Sequence, residues 1–125
     1  MFGTEFIKVV KELYPDAIIE NCKFFDEHNI TGYKIKNNKY IFSVQFSPFN
    51  YCNNQSFLKP GFISNRDYTE SAINAEIAVI SNDKYETFYK IAEYDTVIGH
   101  LDPIEVLCWL IEVFSDNFKI YPDNH

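Results

Sequence analysis

Arginine, glycine and paired cysteine are scarce in this sequence, and each shortage argues against a class of function. A single arginine, Arg66, stands beside ten lysines, and eighteen acids outnumber them together. With a net charge of −7 and a pI near 4.8, the whole-molecule field repels phosphate, so general binding to duplex nucleic acid is disfavoured. Four glycines, none clustered, could hardly build a glycine-rich phosphate loop. Cys22, Cys52 and Cys108 are odd in number and widely spaced. They read as idle or buried thiols in a reducing compartment. His28, His100 and His125 show no metal-ligand spacing, so neither a metal nor a cofactor is expected. No Gly-x-Ser-x-Gly elbow is present. Cys52 with His100 is the least implausible thiol–base pair, but any chain with three of each offers such a pair, and no catalytic residue is assigned.

Long apolar runs are also missing. None approaches the roughly 20 residues that cross a bilayer. The start, Met-Phe-Gly-Thr-Glu, lacks the basic and apolar regions of a signal peptide, so a cytoplasmic location is expected. What is present is a globular composition, 46% apolar and 23% charged over 125 residues, enough for one domain with one core. Aromatics reach 18%, more than so small a core needs, so some are expected to line a groove or touch a partner. The abundance of Ile, Asn, Lys, Phe and Tyr suits AT-rich genes, a hint of a low-GC bacterium or its mobile elements.

Thr4 is a candidate helix cap, Phe6, Val10 and Leu13 follow at helical spacing, and Pro15 ends the run, so a helix is expected over 4–14. Residues 17–25 read as a strand and 26–29 as a turn. Tyr33 and Ile35, then Tyr40, Phe42, Val44 and Phe46, alternate with other residues on either side of Asn37-Asn38. This is a hairpin pattern, because Asn tolerates the positive φ of tight turns. One hairpin face is aromatic and should meet a helix. Residues 47–68 are broken by Pro, Gly and Asn and read as a long loop. Residues 71–81 and 85–91 alternate as a second hairpin, with Ile73, Ala75, Ile77 and Val79 on one face, and a short strand follows around Val97 and Ile98. Asp102-Pro103-Ile104-Glu105 supplies an N-cap acid, a first-turn proline and a Glu at N3. The helix expected over 103–115 carries a stripe of Ile104, Leu107, Cys108, Ile111 and Phe114. Trp109, Leu110 and Val113 widen it, which suggests burial on more than one side. The fold class is therefore α+β: a mainly antiparallel sheet of about five to six strands with an N-terminal and a C-terminal helix packed on one face.

Charge is unevenly spread. Residues 28–66 carry no acid and a charge of +5, whereas residues 67–116 carry eleven acids against Lys84 and Lys90. If Glu70, Glu76, Asp83, Glu86, Glu93 and Asp95 share a rigid surface with Asp102, Glu105 and Glu112, that surface attracts a basic groove and can imitate phosphates. The alternative is an ordinary solvated face that maintains solubility. Lys34, Lys36 and Lys39 cluster at the hairpin turn, where lysines also guard sheet edges.

Two functions are carried forward. The first is a protein–protein inhibitor or adaptor whose acidic surface binds a basic, nucleic-acid-handling partner, with Phe49, Tyr51, Phe57, Phe62 and Tyr68 of the loop as anchors. Small, acidic, aromatic-rich proteins of this kind occur among phage counter-defence factors, and an anti-CRISPR antagonist is the sharpest version, by analogy alone. The second is a small-molecule binder, such as a nucleotide-sequestering protein, with Lys59 and Arg66 on the anion and the loop aromatics around the base.

Overall fold

The computed structural model describes residues 1–23, 30–47, 50, 52–53 and 68–122. Its elements run α1 (Thr4–Leu13), β1 (Ile18–Lys23), β2 (Ile30–Lys36), β3 (Tyr40–Gln45), α2 (Tyr68–Ser71), β4 (Ala75–Ser81), β5 (Val97–Leu101) and α3 (Pro103–Phe114). The strands form one antiparallel sheet in sequence order, β1-β2-β3-β4-β5. This is the expected α+β arrangement, with five strands.

Strand alternation divides the side chains between two faces. Tyr33 and Ile35 of β2 stand opposite Val44 and Phe42 of β3, which stand opposite Ile77 and Val79 of β4. These join Phe6 and Val10 of α1 and Val106, Leu110 and Val113 of α3 in the main core. Phe2 anchors the entry to α1, with its ring against Phe6 and Phe46 and its carbonyl accepting the Tyr33 hydroxyl at 2.6 Å. Both terminal helices thus cover the same face. On the other face Ile41, Ser43, Ala78 and Ile80 are buried too.

Several expectations change. Thr4 does not cap α1: the N-cap is Gly3, with no side-chain hydrogen bond. Asn37 shapes the β2–β3 turn with its side chain, not with a positive φ. Its Oδ1 accepts the amides of Lys39 and Tyr40, and it is not among the non-glycine residues with left-handed φ, which among the described residues are Glu86, His100 and Asp116. Ile73 precedes β4 and is exposed. The strand expected over 85–91 shrinks to an Ile80–Phe88 bridge flanked by the hydrogen bonds Ser81 N to Thr87 O and Tyr89 N to Val79 O. The chain then leaves the sheet through a turn closed by Ala92 and Asp95, and returns as β5 along the earlier half of β4.

The α3 capping box forms as read. Asp102 accepts the Glu105 amide at 2.8 Å, the Glu105 carboxylate accepts the Asp102 amide at 3.2 Å, and Pro103 occupies the first turn. The buried side is narrower than expected. Val106, Leu110 and Val113 face the sheet, while Ile104, Cys108 and Ile111 face solvent. The C-terminal end of α3 is clamped to the hairpin, because Asp116 accepts both the Tyr40 hydroxyl and, at 2.8 Å, the Lys39 ammonium. Among the described residues no helix is long and apolar enough to cross a membrane.

Candidate functional site

The side of β4 away from β3, taken up by residues 87–89 and β5, gathers most of the expected acids in its turns. Asp83 and Glu86 lie in the turn that leaves β4, and Glu93 and Asp95 lie in the next turn along the same edge. All four are exposed. Two of them also hold the backbone: Asp83 Oδ1 accepts the amides of Tyr85 and Glu86, and Asp95 Oδ1 accepts those of Thr96 and Val97. Such short side chains favour turns because they replace missing main-chain partners. Glu86 sits at φ 46°, a left-handed position that glycine takes more easily. Among the described residues no side-chain partner is recorded for the carboxylates of Glu86 and Glu93.

The last helix carries further acids on a flank of its own. Phe114 meets Tyr14 of α1 with ring centroids 4.9 Å apart, which marks the flank of α3 facing α1. At 100° per residue, Glu105 and Glu112 lie roughly 180° around the helix from Phe114. They are exposed on the flank pointing away from α1, with half-buried Trp109 one turn from each.

The array is not uniform. Glu76 stands apart, half-buried in β4 opposite Gln45. At about 3.3 Å per residue it is roughly 20 Å along the strand from Asp83. The Glu70 side chain and Phe49, Tyr51, Phe57, Phe62, Lys59 and Arg66 lie outside the described residues. Tyr68, expected as a loop anchor, is instead buried in the core at the start of α2. Its burial follows from the chain turning back onto the sheet there, with Ala72 packed beside it in the core.

Lysines near the hairpin are drawn into pairs elsewhere. Lys36 reaches Glu20 at 3.0 Å and Lys39 reaches Asp116 at 2.8 Å. The hydrogen bonds from Lys39 and Tyr40 hold the Asp116 carboxyl below its ordinary range. Burial, followed by the hydrogen bond to Asp116, raises the Tyr40 phenol. At the β4 edge itself, the Lys84 ammonium lies 4.9 Å from the Tyr85 ring centroid and Lys90 donates to the Pro122 carbonyl at 3.2 Å.

Sequence reasoning missed the aromatic residues of this edge. Tyr85 is 75%, Phe88 53% and Tyr94 81% exposed. Phe88 pairs with Ile80 and so shares its helix-free face, while Tyr89 turns inward against Tyr40 and Phe118. The available signal was their interleaving with Asp83, Glu86, Glu93 and Asp95, since a core strand does not carry so many carboxylates. A shallow groove of about 560 Å³ runs between the 92–95 turn and the C-terminal tail, lined by Glu93, Tyr94, Lys119, Tyr121 and Pro122. A second, of about 840 Å³, lies between α1 and β1 over Ile7, Ile19 and Ile30, with Lys8 and Lys11 among its lining residues.

Cys52 is buried, its thiol 3.5 Å from the Ser47 carbonyl oxygen, and His100 is exposed on β5. Among the described residues no group of three or more His, Cys, Asp or Glu is arranged to hold a metal ion. No protein-family model, curated protein or solved structure matches the chain.

Proposed function

We infer that the chain is a non-catalytic cytoplasmic binding protein that uses the acidic turns on the β5 side of β4 to engage a basic, nucleic-acid-handling protein and block it. The observation that carries this reading is the placement of Asp83, Glu86, Glu93 and Asp95 along one strand edge, with Glu86 and Glu93 unpaired by any described lysine. Carboxylates fixed on turns keep their spacing when a partner approaches, so little order has to be gained on binding. A counter-defence role, in which the edge occupies a groove meant for phosphates, is the form this activity takes if the chain belongs to a phage or mobile element.

The test is capture of partners from host lysate at low and high ionic strength, followed by titration of the captured protein with purified chain. The reading expects a basic nucleic-acid-binding protein whose affinity falls steeply with salt. Glu86→Lys, Glu93→Lys and Asp95→Lys together should weaken binding by at least about tenfold, each charge pair contributing on the order of 1 kcal/mol. Binding that survives the triple reversal refutes the proposed surface.

A further inference from the structure

The geometry points to a more specific ligand for this edge: arginine side chains of the partner, in preference to lysines, with Tyr94 as the central platform. This rests on the acidic-edge reading and names what that edge recognises. Among the described residues Tyr94 is the most exposed of the large hydrophobic side chains, at 81%, and it stands between Glu93 and Asp95 at the tip of a hydrogen-bonded turn. Tyr85 and Phe88 are also more than half exposed, so this ten-residue stretch presents three aromatic side chains to solvent. The surrounding charge selects the occupant. A guanidinium is planar, stacks on a phenol ring, and offers forked N–H donors to a neighbouring carboxylate. An ammonium is also drawn to a ring face, but as a strongly hydrated point charge it cannot lie flat on the ring while forking to the carboxylate beside it.

Rings in this region already take cations on their faces. Lys84 lies 4.9 Å from the Tyr85 centroid and Lys119 lies 4.3 Å from the Tyr121 centroid, the latter beside Tyr94 in the groove. Among the described residues no cation lies over the Tyr94 ring and no other ring packs against it, so its faces are open to a partner. Tyr85 and Phe88 are exposed in and beside the turn that leaves β4, where Glu86 supplies a further carboxylate.

The experiment titrates the isotopically labelled full chain with oligoarginine and oligolysine of equal length, following backbone amides by NMR. Arginine recognition predicts shifts concentrated in residues 83–95, and an affinity for oligoarginine about two- to fivefold above that for oligolysine, the range of an exposed cation–π contact. Tyr94→Ala should bring that ratio to one without changing thermal stability, and Tyr94→Phe should preserve it. If both peptides bind at 83–95 with equal affinity, or the preference persists in Tyr94→Ala, arginine recognition is wrong while the acidic edge stands. If shifts instead spread over Glu5, Glu12 and Glu20, the acidic-edge reading fails with it.

Discussion

Gly32 has no side chain because Gln45 crosses it. The Gln45 amide donates to Cys22 Sγ at 3.4 Å and to Ser43 Oγ at 3.1 Å, and a Cβ on Gly32 would collide with both the Gln45 side chain and the Val44 carbonyl. Gly32→Ala should therefore destabilise the fold by about 1–3 kcal/mol, read from urea unfolding. Gln45→Ala should recover only part of that loss, because the backbone collision remains. Asp116 gives a pH prediction. Its folded pKa lies below its unfolded one, so its contribution is complete above the ordinary carboxylate range and fades as pH falls through the lowered value. Ring resonances of Tyr40 should shift as Asp116 protonates, below pH ~4, and Asp116→Asn should remove that acid-range shift. Little of this was legible in the sequence. Asn37 was read correctly as a turn residue but for the wrong reason, since composition cannot distinguish a positive φ from a side-chain acceptor. The partners of Asp116 are 76 and 77 residues away, beyond any local pattern.

At the scale of elements, local chemistry was readable and orientation was not. The Asp102, Pro103 and Glu105 signature gave the start of α3 because a capping box is made within four residues. Asp102→Ala should cost about 1 kcal/mol in thermal or urea unfolding. The face of α3 was misjudged because Ile104, Leu107, Cys108 and Ile111 are as apolar as Val106, Leu110 and Val113, so periodicity alone cannot choose between them. The sheet chose, and two substitutions check it. Leu110→Ala, at a fully buried position, should cost about 2–5 kcal/mol. Ile104→Ser, 72% exposed, should stay within about 0.5 kcal/mol. The segment 85–91 misled for a related reason. Its alternation of Tyr85, Thr87, Tyr89 and Ile91 is real, and Tyr89 and Ile91 do turn inward. Pairing nevertheless lasts only around Phe88, because the Asp95 turn redirects the chain and gives the remaining edge of β4 to β5.

At the scale of the whole molecule, the charge asymmetry of the sequence becomes a spatial one in part. Two of the three hairpin lysines, Lys36 and Lys39, pair with Glu20 and Asp116, while Asp83, Glu86, Glu93 and Asp95 stand in turns whose own lysines contact Tyr85 and Pro122. Glu76 falls outside because it stands at the other end of β4, beside Gln45. The sequence could supply the list of acids; only the topology, with 87–89 and β5 sharing one side of β4, shows which of them are neighbours. The most direct measurement compares wild-type chain with the Glu86→Lys, Glu93→Lys, Asp95→Lys variant in equilibrium binding to the captured basic partner across ionic strength, beside circular-dichroism melts of both. The account predicts unchanged melts, an affinity drop of at least about tenfold, and a flatter salt dependence for the variant. Equal affinities and parallel salt slopes would contradict it.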